Sequence, residues 1–117
     1  MRQTCRDVVA AAGRGEVALH MSVEGGQEFL FHRMRKGSRE EAVAAFDVLD
    51  RLVTWHAFEV EVLHAAVLLA RAGVRGRDAV HAATAQRAGF GGIVSPDRDF
   101  DAVPGLRRLD PAGVAVD

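Results

Sequence analysis

The sequence has a single cysteine, almost no net charge and no long apolar run. With Cys5 alone there is no internal disulfide framework and no cysteine-held zinc. A reducing, cytoplasmic compartment is expected, with Cys5 in a plain packing or surface role. The formal net charge is −1. A protein that binds nucleic acid by charge alone is more basic than that, so any such contact needs a local basic patch. No apolar stretch approaches the roughly 18 residues of a membrane span, so no membrane is expected. The N-terminus lacks the uninterrupted apolar core of a signal peptide. Internal repeats and low-complexity tracts are absent. So are the HExxH spacing of a zincin, the GxSxG elbow, the P-loop and a full GxGxxG. The run Gly89-Phe90-Gly91-Gly92 leads into a strand, the wrong way round for a dinucleotide loop.

The 117 residues suit one domain with a single core, and 49% hydrophobic with 26% charged residues is ordinary for a globular chain. Thr4 to Ala12 reads as a helix that Thr4 could cap, ended by Gly13 and Gly15. Glu16 to Met21 alternates and reads as a strand. Ser22 caps a helix running to about Lys36, although Gly25 and Gly26 each cost about 1 kcal/mol against alanine in a helix interior. Ser38 and Glu41 form a capping box for a helix to about Leu52, with Val43, Ala44, Phe46, Leu49 and Val53 spaced for one buried face. Val53 to Phe58 reads as a short strand. Glu59 to Ala72 reads as a helix whose buried face is Leu63, Ala66, Val67 and Ala70. Arg77 to Ala88 is a helix stopped by Gly89; Gly92 to Ser95 is a buried strand that Pro96 ends. Asp97 to Phe100 is a turn or one helical turn, and Leu106 to Leu109 a last short strand.

Helices alternating with short strands predict an α/β domain with a mainly parallel sheet covered on both faces. Ligands collect beyond the carboxyl ends of such strands. Ser22 to Glu28 follows one strand and Asp97 follows another, so both belong at that rim.

Carboxylates gather around Arg77 to Gly105. Asp78 opens a helix, where the macrodipole favours an acid, and Asp97, Asp99 and Asp101 follow a strand. Taken singly, Asp78 is a common helix-start residue and Asp97 a common turn residue. Taken together they suit a hard divalent cation, which takes oxygen ligands. The three turn aspartates cannot all point inward. Glu28 sits in the second helix, with Glu24 one turn earlier; alone, a helix glutamate is most often solvated. His81 lies three residues after Asp78 on the same helix face, placed to pack or to hydrogen-bond near the site. Arg75, Arg77, Arg98, Arg107 and Arg108 flank the acids, as a solvated face or as contacts to a phosphate backbone.

The segment GRDAVHAATAQRAGFGGIVSPDRDFDAVPGLRRLDP resembles the C-terminal half of a PIN domain, specifically the VapC-like toxin ribonucleases. In that family a helix opening Arg-Asp-Ala-(Val/Leu)-His supplies one metal ligand, and a strand ending in Thr/Ser-x-Asp-x-x-Phe supplies another before a Pro-Gly-Leu turn. Here those ligands are Asp78 and Asp97. Upstream, SVEGGQEFLFHR resembles the family's Ser-(x)5-Glu helix and points to Glu28. The resemblance implies Glu28, Asp78 and Asp97 as catalytic carboxylates, with Asp99 beside them on the metal and Asp101 in support. It implies a PIN-like three-layer α/β/α fold, Mg²⁺ or Mn²⁺, an RNA substrate, a small cognate antitoxin as partner and a homodimer. Family members open with a strand carrying an aspartate. MRQTCRDVV resembles the helix after it, so a single PIN-like domain over residues 1–117 lacking that first strand is expected. Two alternatives stay open: a PIN-derived chain that does not cleave RNA, and an unrelated α/β module binding one Mg²⁺.

Overall fold

In a computed structural model that describes residues 3–114, six helices alternate with four short strands, and every strand pair is parallel. In chain order these are α1 Gln3–Gly13, β1 Leu19–Ser22, α2 Val23–Lys36, α3 Arg39–Leu52 and β2 Val53–His56. Then follow α4 Val60–Arg71, α5 Gly76–Arg87, β3 Gly92–Val94, a 3₁₀ helix Arg98–Ala102, β4 Arg107–Leu109 and α6 Pro111–Val114. The side chains of Thr4 and Cys5, for which a cap and a packing role were expected, lie outside those described. Among the described residues no helix is long and apolar enough to cross a membrane.

The expected helix starts are held by the expected atoms. Ser22 Oγ accepts the Gly25 N–H at 2.9 Å, and Ser38 Oγ accepts the Glu41 N–H at 3.1 Å. The strands are shorter than expected, and β1 begins at Leu19 instead of Glu16. They form two separate ribbons. β1 pairs with β2 in the register Leu19↔Val53 to Ser22↔His56, and β3 pairs with β4 from Gly92↔Arg107 to Val94↔Leu109. Side chains, not a backbone ladder, connect the ribbons: the Phe90 ring lies 4.8 Å from His20 and 5.9 Å from His56. Helix α6 was not expected. Its signal is Asp110-Pro111, with proline at the first helical position and Asp110 Oδ1 accepting the Ala112 N–H at 3.0 Å.

The main core belongs to the C-terminal half. Val62 and Ala66 of α4 meet Ala79, Ala82 and Ala83 of α5, with Val74, Phe100, Val103 and Leu106 closing the cluster. Two helix faces differ from expectation. On α3, Ala42 and Leu49 are buried while Val43 is 47% exposed. On α4 the core takes Val62 and Ala66, and Leu63 and Val67 face outward. Both helices carry apolar residues on more than one side, so periodicity alone does not select which side faces the core.

Gly26 explains the paired glycines of α2. It is buried, and a Cβ there would sit 2.6 Å from two ring atoms of Trp55. Trp55 has little freedom to move, because its Nε1–H donates to Asp50 Oδ1 at 2.7 Å and its ring stacks on Phe46 with centroids 5.9 Å apart. The missing side chain lets the backbone of α2 lie against the Trp55 ring. Gly26→Ala is expected to lower stability by about 1–2 kcal/mol, because overpacking of about 1–3 kcal/mol outweighs the gain in helix propensity. Urea unfolding measures this. Combined with Trp55→Phe, the loss should be smaller than the sum of the two single losses.

Candidate metal centre

Burial of one face of α5 sets the position of its first turn. Ala79, Ala82 and Ala83 are small enough to bring α5 close to α4, and buried Thr84 donates its hydroxyl to Val80 O at 2.9 Å. Asp78 sits on the first turn, beside that buried face.

The second acidic element follows β3. Ser95 Oγ accepts the Asp97 N–H at 3.0 Å, and Asp97 Oδ1 accepts the Asp99 N–H at 2.9 Å, which starts the 3₁₀ helix. Phe100, 5% exposed, anchors this turn in the core. Beyond it, Gly105 has φ 75°, a left-handed conformation that glycine adopts without strain, and the Leu106 N–H reaches Val103 O at 3.3 Å. The aspartates therefore project from a turn held at both ends.

One ligand oxygen each from Asp78, Asp97 and Asp99 lies within 4.8 Å of the others. Burial, and then the charges of Asp97 and Asp99, raise the Asp78 carboxyl above its ordinary value of 3.8, while His81 and Arg75 pull it down. An all-oxygen, carboxylate set fits a hard divalent cation, which would offset both the burial of the Asp78 charge and its repulsion by Asp97 and Asp99. Asp101 turns away, accepting from Arg108 Nε at 2.9 Å. Arg108 also donates to Ser95 O at 3.1 Å, so it clasps the acidic turn to β4 and is committed to that structural contact.

Glu28 stands apart from this group. Its Oε1 lies 3.3 Å from His81 Nε2 and 3.7 Å from Arg77 Nε. His81 Nδ1 is 3.1 Å from Ser22 Oγ. One tautomer satisfies the whole chain of contacts. Ser22 accepts the Gly25 N–H and donates its own proton to Nδ1, and Nε2–H donates to Glu28. The structure thus brings Asp78, Asp97 and Asp99 together and ties Glu28 to them only through α5, which carries both Asp78 and His81. The bridge from Ser22 to His81 spans 59 residues; the sequence offered Ser22 as a cap and as the start of the Ser-(x)5-Glu segment, with nothing to link it to His81. Through His81 and Asp78 of α5, these contacts bring the residues that end β1 and follow β3 near the same helix.

A family model for the PIN domain matches residues 2–106, from α1 through the acidic turn. The chain belongs to the PIN domain family. No curated protein matches it. Membership removes the reading as an unrelated α/β module. PIN domains are typically metal-dependent nucleases acting on nucleic acid, and the exposed acidic group of this one has the composition such a metal requires.

The raised Asp78 pKa has a sign that can be measured. In metal-free protein the folded state holds this proton more tightly than the unfolded state. The slope of stability against pH is therefore negative from about the ordinary value of 3.8 upward. Asp78→Asn should leave stability unchanged below that range and raise it above, read as thermal midpoints in EDTA from pH 3 to pH 7. Adding Mn²⁺ at neutral pH should reverse the order. The wild type gains about 2.7 kcal/mol at a hundredfold excess over Kd, and the variant gains much less.

Proposed function

We propose that this PIN domain is a metal-dependent endoribonuclease of the VapC-like toxin type, which hydrolyses RNA phosphodiester bonds. The acidic group of Asp78, Asp97 and Asp99 carries the proposal, because three carboxylates at this spacing repel one another unless a cation joins them. When bound, Mg²⁺ or Mn²⁺ supplies a water-derived nucleophile at neutral pH and offsets charge developing on the scissile phosphate.

The residues of the chain have separable tasks in this reading. Asp78 and Asp97 hold the cation from two different elements, and Asp99 completes the set from the same turn as Asp97. Glu28 is the catalytic carboxylate facing the same rim. Its contact with His81 orients it and gives it a route to exchange a proton at Oε1. Arg77, on the same turn as Asp78, is free at its guanidinium tip to meet a phosphate oxygen. The near-neutral total charge is compatible with an RNA substrate, because the acids are local and a cation offsets them.

The same reading proposes a cytoplasmic protein that forms a homodimer and is held by a small cognate antitoxin. Val60, Leu63, Val67 and Leu68 leave an exposed apolar face on α4, the kind of surface that a partner covers. A second reading is a PIN domain that binds metal without cleaving RNA. It is favoured by the engagement of Glu28 with His81 and Arg77, apart from the acidic group.

End-labelled RNA incubated with the protein and Mn²⁺ separates the two. The proposal expects cleavage that EDTA abolishes and that falls at least about 100-fold in Asp78→Asn and in Asp97→Asn, a loss typical of removing a group that stabilises transition-state charge. Full activity in both variants would overturn the site. Mn²⁺ binding with no cleavage would favour the second reading.

A further inference from the structure

Beside Glu28 a cavity of about 550 Å³ opens between α2 and the start of α5. Its size is that of a site for a small organic group. One wall is a single face of α2, carrying Glu24, Gln27, Glu28, Phe31 and Arg35 at helical spacing. The other is the first turns of α5, with Arg77, Val80 and His81, and Phe58 lines it from just beyond β2. Phe31 is 47% exposed and Phe58 39% exposed. Two large aromatic rings open to water in one cavity have no role in the core.

We propose that this cavity is a subsite for one unpaired nucleotide of the RNA next to the scissile phosphate, its base stacked on Phe31 and Phe58 and its two flanking phosphates met one by Arg35 and the other by Arg77. The inference rests on the nuclease reading for its direction, since Glu28 and His81 belong both to the cavity wall and to the rim beside the metal group. Along α2, Arg35 stands about 10 Å from Glu28, so the wall grades from acid through aromatic to base as it leaves the reacting end.

The chemistry of the wall selects this occupant. Stacking on aromatic rings needs a base that is not already stacked in a duplex, so the RNA is single-stranded here. The face of an amphipathic protein helix would call for an aliphatic groove, and Val80 is the one aliphatic residue in this wall. A chain of net charge −1 has no general attraction for phosphate, so stacking has to supply much of the affinity.

Fluorescence anisotropy of a labelled eight-nucleotide single-stranded RNA, measured in EDTA, tests this without cleavage. Phe31→Ala and Phe58→Ala should each weaken binding about 5- to 100-fold, while Phe31→Trp keeps it. A base-free backbone of equal length should bind wild type and Phe31→Ala alike. With two phosphates neutralised, the slope of log K against log salt should be about −1.4, and Arg35→Ala should reduce it by about 0.7. Unchanged affinity in both phenylalanine variants would overturn the subsite, as would equal binding of duplex RNA. So would a lack of RNA binding in a protein that an antitoxin peptide still occupies at this cavity. Cleavage in Mn²⁺ is scored separately. Cleavage with no dependence on either phenylalanine overturns the subsite alone, whereas binding that depends on them without any cleavage supports the subsite and overturns the nuclease reading.

Discussion

The close approach of α5 to α4 is the contact on which the rest of the structure depends. It is made by residues that hardly extend from the backbone: Ala79, Ala82 and Ala83 against Val62 and Ala66. Interiors pack as densely as organic crystals, so a seam of small side chains fixes the position of a helix to a fraction of an ångström. Everything of chemical interest on α5 follows from that seam. Asp78 and His81 are three residues apart on the side that stays near the rim, and the first turn is presented to the acidic turn after β3. A bulkier residue in the seam would move both groups together.

On this frame sit two polar arrangements of opposite character. The first is electrostatically unfinished: burial of Asp78, and then the nearby charges of Asp97 and Asp99, disfavour its ionised form. The second is linked within the protein, since His81 bridges Ser22 and Glu28 and Arg77 Nε lies 3.7 Å from the same carboxylate, leaving the rest of its exposed guanidinium to solvent. Helix α5 contributes a residue to each, Asp78 to the first and His81 to the second. The aromatic cavity begins where the second arrangement ends. The acidic group, the Glu28–His81 contact and the cavity are therefore connected in turn from the acidic turn over α5 to α2.

Much of this was legible in the residues. Capping serines, glycine stops and apolar spacing gave the five longer helices to within a residue or two, because those signals act locally. Asp78 and Asp97 stood out because each opens or follows an element in a recognisable pattern. The inner faces of α3 and α4 were not legible. Leu63 and Val67 are as apolar as Val62 and Ala66, and only the position of α5 decides which pair is covered. The parallel pairing was expected, but the division into two ribbons was not, since pairing depends on which edges meet in space. Gly25 and Gly26 read as defects in a helix until the ring of Trp55 supplied the reason for one of them.

The sequence by itself determined the order of elements up to the last strand, the α/β class, the family resemblance and the set of carboxylates available for a metal. Those follow from periodicity, caps and short motifs, which need no partner distant in the chain. Tertiary structure decided which acids meet. Asp99 joins Asp78 and Asp97 because a 3₁₀ turn anchored by Phe100 aims it there, Asp101 is drawn off by Arg108, and Glu28 is held by a histidine 53 residues away. Direction and distance between side chains on separate elements are products of packing, and no spacing along the chain encodes them.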